Sequence, residues 1–150
     1  MDGSHMIEHW QGVRAGLIET IDKFGEDNLD YQPFHGSWTV RQMILHIAHE
    51  ESIEVSYGIA GEVKEVPKVF PPEDYPTLEA IKSLLEEVHS KAENYLEGLS
   101  AQDLQRVVNT PWGTQQVLLD MFEHIIDHEV HHRGELSLIV GLCGKTGLDA

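Results

Sequence analysis

The stretch TQQVLLDMFEHIIDHEVHHRGELSLIVGLC, residues 114–143, decides the fold of this chain. Its apolar side chains recur at steps of three and four residues, which is the spacing of one face of a helix. The pattern predicts a helix from about Thr114 to about Cys143, ended by Gly144. The side chains expected to face inward are Val117, Met121, Ile125, Leu136, Ile139 and Val140. A helix with an apolar face of this length needs other helices to cover it.

Three earlier segments show the same periodicity and supply those partner helices. The first runs from about Met6 to Phe24. The second opens at Thr39, where Thr39 and Gln42 form a capping-box pattern, and its periodicity fades near residues 58–61. The third occupies residues 77–99 and carries a continuous apolar stripe. Four long helices around one core predict an all-α protein, a four-helix bundle.

The connections between these helices are long. Residues 26–37 are rich in Asp, Asn, Pro and Gly, and residues 62–77 contain four prolines, so neither stretch can be a regular helix. Ser100 is expected to cap a short turn that ends at Leu104. Residues 106–113, RVVNTPWG, begin with a brief β-like run and end in a turn. Long inter-helix loops of this kind often shape a functional site.

Composition limits the partners of the chain. With 26 acidic and 10 basic residues, the formal net charge is −16, which repels phosphate backbones and anionic lipid surfaces. We therefore expect a small-molecule substrate, with no nucleic acid and no membrane as partner. No apolar run reaches the roughly 18 residues of a membrane span, and a single cysteine excludes an internal disulfide framework. These features predict a cytoplasmic protein.

The first five residues, MDGSH, are typical of the remnant of an expression tag, and we leave residues 1–5 out of the fold prediction. Residues 6–150 are long enough for one domain with a substantial core, and no repeat or composition change divides them. The sequence therefore predicts a single four-helix-bundle domain.

Histidines are concentrated on the last predicted helix. His128 and His132 are four residues apart, so both can bind one ion from the same face of the helix. His124 precedes them by one turn, Glu135 follows by about one turn, and His131 lies at the edge of the face. A solvated polar face is the alternative interpretation of this spacing.

Two histidines make an incomplete site, because catalytic zinc-type sites usually have three protein ligands and an open position. The best third ligand lies on the second helix, where His46 sits in the middle of an apolar pattern. His49 lies nearer the polar edge of that helix, and Glu50 shares the face of His46.

The stretch GSWTVRQMILHIAHEE, followed about 80 residues later by HIIDHEVHHRGELSLIV, resembles the DinB/YfiT-like metalloenzyme superfamily. The resemblance covers nearly the whole chain after the tag. It implies a four-helix bundle that carries one metal ion on three histidines, here His46, His128 and His132. At Glu135 many members have Gln, a difference that leaves the implied ligand set intact.

The resemblance also implies a class of reaction. The superfamily includes thiol transferases that use bacillithiol, isomerases that use mycothiol, and members described as hydrolases. We expect a metal-dependent enzyme, first of all a low-molecular-weight-thiol S-transferase acting on small electrophiles, with a metal-dependent hydrolase as the alternative. A third alternative is a non-catalytic protein that a metal stabilises or that serves as a stress-induced binding module.

The expected cofactor is one divalent transition metal, with zinc ahead of nickel and iron, together with a low-molecular-weight thiol as cosubstrate. Glu50 and Glu135 are the candidates for proton transfer. His124 is expected to support a ligand through a hydrogen bond. His49 and His131 are expected at the rim of the site or just behind the ligands, with direct binding of the metal as the alternative. A homodimer is the expected assembly.

A di-iron bundle is a competing interpretation. Such bundles use two Glu-x-x-His pairs, and the chain contains EEVH at residues 86–89 and EVHH at residues 129–132. The first helix offers only Glu8 and Glu19, neither of which lies on its apolar stripe. His89 is expected at the surface. The sequence therefore favours a mononuclear site.

Overall fold

The computed structural model describes residues 1–146 of the chain. Its α-helices are α1 (Gly3–Ile21), α2 (Val40–Glu51), α3 (Leu78–Glu97), α4 (Ala101–Leu104) and α5 (Leu118–Leu142). A π-helix, Ser52–Ile59, continues α2, and 3₁₀ turns occupy Glu26–Asn28 and Pro72–Asp74. Strands β1 (Val107–Asn109) and β2 (Gln115–Val117) form an antiparallel hairpin. Among the described residues, no helix combines the length and the apolar character that a membrane span requires.

The starts of α2, α3 and α4 are fixed by side chains that cap them. The Oγ1 atom of Thr39 accepts from the backbone N–H of Gln42, whose amide oxygen accepts from the N–H of Thr39, as the predicted capping box requires. Thr77 and Ser100 accept in the same way from the residues three positions on. The predicted starting points of these three helices are confirmed.

Three boundaries differ from the predictions. Helix α1 begins at Gly3 instead of Met6, because the Asp2 carboxylate accepts from the N–H of His5, and it ends at Ile21. The last helix begins at Leu118 instead of Thr114, because residues 115–117 pair with β1. The second helix changes to π-helical hydrogen bonding after Glu51.

Helices α1, α2, α3 and α5 form a four-helix bundle in an order that differs from the order along the chain. Helix α1 packs mainly against α3 and α5, and α2 packs against the same two helices. Consecutive helices α1 and α2 therefore lie across the diagonal of the bundle, and so do α3 and α5. The long connections at residues 22–39 and 98–117 span these diagonals.

A layer of charged residues divides the buried core into two apolar clusters. One cluster includes Leu17, Ile44, Leu85 and Leu136, and the other includes Trp10, Val55, Ala92, Leu118 and Phe122. Between them, each bundle helix contributes one member of a buried charged network. These four are Arg14 from α1, Glu51 from α2, His89 from α3 and Glu129 from α5.

Candidate metal centre

Helices α2 and α5 bring three histidines together at one level of the bundle. The Nε2 atom of His128 lies 3.1 Å from Nε2 of His46 and 3.1 Å from Nε2 of His132. One nitrogen from each of the three rings lies within 4.8 Å of the others, so the group could hold a metal ion. His132 is buried, whereas His46 and His128 are partly exposed, which leaves the cluster open to solvent on one side.

Glu135 determines the proton position on one of these rings. The Nδ1–H of His132 donates to Oε2 of Glu135 over 2.6 Å, so Nε2 of that ring carries a lone pair. A carboxylate that accepts from the distal nitrogen is the usual outer partner of a metal-ligating histidine. Glu135, expected from the sequence as a group for proton transfer, thus lies behind a ring nitrogen and orients it.

The spacing of the three nitrogens fits an ion better than it fits hydrogen bonds among imidazoles. A neutral His128 has at most one proton on Nε2, yet this atom has two nitrogen neighbours at 3.1 Å. Two ligands on a tetrahedral zinc ion with bonds of about 2.0–2.1 Å are separated by about 3.3 Å. The observed separations are close to this value, so the donor set fits a divalent ion with three imidazole ligands.

Burial keeps two of these imidazoles neutral, which is the protonation state that binds metals. It lowers the pKa of His128 from 6.5 to about 4, and the neighbouring His132 and His46 add to the effect. Burial also lowers the pKa of His46, with Glu50 acting in the opposite direction. At neutral pH these two side chains are therefore unprotonated, and protons compete with a metal only weakly.

The two residues that follow His46 on α2 lie beside it without closing the site. The Oε1 atom of Glu50 is 3.8 Å from Nδ1 of His46, on the side of the ring away from the Nε2 cluster. The Nε2–H of His49 donates to the carbonyl oxygen of Pro67 over 2.9 Å. His46, His49 and Glu50 also lie near enough to one another to form a metal group of their own, which would use the opposite nitrogen of His46.

His131 and His124 occupy positions farther from the three nitrogens. His131 is exposed, with Nε2 3.1 Å from Oε1 of Glu135, and together with His132 and Glu135 it makes a third group that could hold a metal. His124 lines a separate groove with Glu54 and Trp112. Burial raises the pKa of Glu54 above its usual value, an effect that His124 opposes.

The indole ring of Trp38 lies against the cluster. Its ring centroid lies 4.6 Å from that of His46 and 6.5 Å from that of His132. The residue belongs to the loop before α2, which folds back so that the N–H of Val40 donates to the carbonyl of Tyr31. The long first connection thus supplies one wall of the site.

A buried charged network adjoins the cluster, and the sequence analysis missed it. Arg14 donates from Nε to Oε1 of Glu129 over 2.9 Å and from Nη2 to the carboxylates of both Glu51 and Glu129. Trp10 donates its indole N–H to Glu129, and Nδ1 of His89 donates to Glu51. The sequence spacing could have indicated this network, because each of its charged residues continues the apolar stripe of its helix.

The two Glu-x-x-His motifs each supply one residue to the buried charged network, His89 from the first and Glu129 from the second. The carboxylate of Glu129 accepts hydrogen bonds from Arg14 and Trp10, whereas Nε2 of His132 faces His128. His89, expected at the surface, is 5% exposed and belongs to the charged network. Its Nε2 atom lies 3.2 Å from Oε1 of Glu93 without meeting hydrogen-bond geometry. The guanidinium of Arg14 is the positive charge between the carboxylates of Glu51 and Glu129.

Comparison with protein families places the fold in a known group. The family model described as the DinB superfamily matches residues 9–136. The uncharacterized protein YizA of Bacillus subtilis is 29% identical over 116 residues, which are 76% of this chain and 64% of YizA. The uncharacterized protein YrdA of the same organism is 20% identical over 95% of this chain and 83% of its own length.

Solved structures share the same fold. A DinB-like protein from Bacillus cereus ATCC 10987 superposes with a TM-score of 0.81 at 17% identity, covering 95% of this chain and 93% of that one. YfiT from Bacillus subtilis superposes with a TM-score of 0.70 at 20% identity over 96% and 89% of the two chains. YfiT is described as a probable metal-dependent hydrolase with an unusual four-helix bundle topology.

Proposed function

Because this chain belongs to the DinB superfamily, we propose that it is a metal-dependent enzyme acting on a small molecule, with His46, His128 and His132 as ligands of one divalent ion. The observation that carries the proposal is the convergence of three Nε2 atoms at separations of 3.1 Å around His128. Zinc suits three neutral imidazoles best, and nickel and iron are the alternatives.

The open side of the cluster supports catalysis rather than a purely structural metal. A structural zinc site is closed by four protein ligands. The two polar side chains next to His46 on α2 are directed elsewhere, since His49 bonds Pro67 and Glu50 lies beside Nδ1 of His46. A position is therefore left for a water molecule or a substrate.

The first reaction that we propose is transfer of a low-molecular-weight thiol to a small electrophile. A divalent ion at this site would supply Lewis acidity, which favours the deprotonated form of a thiol or water bound to it. The protein would keep His46 and His128 neutral by burial and orient His132 through Glu135. Glu50, half-buried beside Nδ1 of His46, lies on the far side of that ring from the three Nε2 atoms, so a released proton would reach its carboxylate through water.

Hydrolysis is the second candidate, and the description of YfiT as a probable metal-dependent hydrolase supports it. The two reactions differ in one requirement. A transferase turns over only when a thiol is added, whereas a hydrolase releases product from the same substrate in buffer alone. Monitoring product formation with and without cysteine as the added thiol, across a set of small electrophiles and esters, separates them.

Metal content is the first measurement. We expect about one equivalent of transition metal per chain in the purified protein and little in a His128→Ala variant. The matched control is His131→Ala, which removes an exposed imidazole from the same helix and leaves the three Nε2 atoms in place. Full metal occupancy in a folded His128→Ala protein would contradict the proposal. Two equivalents in the wild-type chain would support a dinuclear site instead.

A non-catalytic role predicts a different result in the same preparation. If the ion only stabilises the bundle, its removal should lower the melting temperature sharply while no thiol or ester is turned over. We expect the metal-free protein to remain folded, because both apolar clusters are complete without any contribution from the three histidines.

A further inference from the structure

A cavity of about 230 Å³ lies beside the histidine cluster and shares His46 with it. Its walls come from α2, from the loop before α2 and from the segment that follows the π-helix. The apolar part of the lining includes Trp38, Leu45 and Phe70, and the polar part consists of Gln42 and the two histidines His46 and His49. We call it the aromatic cavity.

Specific contacts hold the outer wall of the aromatic cavity in place. His49 donates to the carbonyl of Pro67 and thereby fixes the loop against α2. The ring of Phe70 lies edge-on to His49, with centroids 6.3 Å apart, and edge-on to Tyr75 at 5.8 Å. Because aromatic pairs favour such edge-to-face arrangements, the wall is a packed part of the fold.

The aromatic cavity contains no charged side chain, although the chain as a whole is strongly acidic. Four other grooves on the described residues each include at least two carboxylates. A charged ligand loses its hydration in an uncharged cavity and gains no partner there. The lining therefore favours an uncharged occupant.

The size of the aromatic cavity restricts the occupant further. Sites for drug-sized ligands have volumes of about 300–1,000 Å³, so 230 Å³ suits a smaller group. Trp38, Phe70 and His46 contribute aromatic rings to the lining, and such rings favour contact with another aromatic ring.

We propose that the aromatic cavity binds an uncharged, single-ring aromatic part of the substrate and places the remainder of that molecule beside His46. The catalytic role of this cavity rests on the proposed function, because His46 belongs to both the cavity and the three-histidine cluster. It assigns the substrate to a class of small, neutral, aromatic compounds.

The test is direct binding of benzamide, observed through the indole N–H signals of the three tryptophans in ¹⁵N-resolved NMR spectra. Trp38 lines the cavity, Trp112 lines another groove, and Trp10 is fully buried in the core. Benzamide should shift the Trp38 signal saturably in the zinc-loaded protein and leave the other two unchanged. In the metal-free protein, benzoate and benzylammonium should bind at least about fivefold more weakly than benzamide.

Substitutions of lining residues test whether benzamide binds in the aromatic cavity. Phe70→Ala should weaken benzamide binding at least about fivefold, whereas the matched deletion Trp112→Ala should not change it. A second pair changes only charge at an exposed position of the wall: Val69→Asp should raise binding of benzylammonium relative to benzamide, and Val69→Asn should not. An unmoved Trp38 signal, or equal binding of the three probes, would overturn the inference.

The outcomes distinguish this inference from the proposed function. A protein that binds one equivalent of zinc but no benzamide retains the metal site and lacks the aromatic subsite. A protein that binds benzamide at Trp38 but no metal retains the cavity and refutes the metal-dependent reaction.

Discussion

Glu135 affects the candidate site through a neighbouring residue. It accepts from Nδ1–H of His132 and so fixes the ring whose Nε2 atom faces the other two histidines. The resemblance to the DinB/YfiT-like superfamily implies Gln at this position in many members. The amide oxygen of Gln can accept the same hydrogen bond. The negative charge therefore strengthens the contact and is not essential to the orientation of the ring.

We predict that Glu135→Ala weakens metal binding by about 10- to 100-fold, the usual effect of losing an outer partner of a ligating histidine. Glu135→Gln should weaken it much less, because an acceptor remains. Competition against a chelator of known affinity gives both values. Equal losses in the two variants would mean that the carboxylate charge, and not the orientation of His132, determines affinity.

The pKa of His128 makes the stability of the metal-free protein depend on pH. Its folded-state pKa of about 4 lies below the ordinary 6.5, so between these values the unfolded chain binds more protons than the folded one. The free energy of unfolding should therefore decrease as the pH falls from about 6.5 toward 4.

Urea denaturation of the metal-free protein at several pH values measures this dependence. His128→Asn should flatten the decrease, while His131→Asn, which changes an exposed imidazole on the same helix, should not. If the slope in His128→Asn equals that of the wild type, other groups cause the acid sensitivity.

At the scale of elements, the π-helix Ser52–Ile59 is held by a contact that only glycine permits. A Cβ atom on Gly58 would lie 2.6 Å from Cη2 and 2.9 Å from Cζ3 of Trp112. Trp112 comes from the β1–β2 hairpin, so this close approach joins the end of the second bundle helix to the connection before α5. π-Helical segments frequently occur at functional sites, and this one follows directly after Glu51.

We predict opposite effects for two glycine-to-alanine changes. Gly58→Ala should lower the melting temperature, because the ring of Trp112 must move away. Gly12→Ala should raise the free energy of unfolding by about 0.5–1 kcal/mol, since alanine favours the helix interior and the new Cβ meets nothing within 4 Å. Thermal unfolding of both variants measures these effects. A higher melting temperature for Gly58→Ala would contradict the prediction and show that the hairpin moves at little cost.

The helices and strands also show which parts of the fold sequence patterns can predict. Apolar periodicity and the caps at Thr39, Thr77 and Ser100 predicted the helices and three of their starts, because caps are local hydrogen bonds. Strand β2 was assigned to the last helix, since its pairing with β1 depends on a tertiary turn that no helical pattern encodes. The π-helix was missed for a similar reason, as its hydrogen bonds follow the packing around Gly58.

The predictability of the site divides in the same way. The spacing of His128 and His132 places both on one helix face, and the family motif adds His46. What surrounds them depends on loops that return from a distance in sequence, and so Trp38 and the link from His49 to Pro67 could not be derived. The charged layer was overlooked because charged residues are ordinarily solvated.

At the scale of the whole molecule, the charged layer joins all four bundle helices at the level where the two apolar clusters meet. Arg14 carries the positive charge between two buried carboxylates, each from a different helix. Removing one partner of a buried ion pair leaves an uncompensated charge and costs about 3–5 kcal/mol.

Arg14→Met should therefore lower the free energy of unfolding by about 3–5 kcal/mol in chemical denaturation. Lys82→Met, which removes a lysine from a solvent-exposed pair with Asp22, should change it by no more than about 1 kcal/mol. Replacing Glu51 and Glu129 by Leu in the Arg14→Met background should recover part of the loss. Similar small effects for both single variants would mean that water enters the layer.

The diagonal arrangement of helices also has a consequence during biosynthesis. Arg14 and Glu129 are 115 residues apart, and α1 packs mainly against α3 and α5, which are made after it. At translation rates of about 5–20 residues per second, Glu129 is synthesised on the order of ten seconds after Arg14. Helix α1, which is made before α3 and α5, therefore completes its packing late, and during that interval its apolar face is available to chaperones.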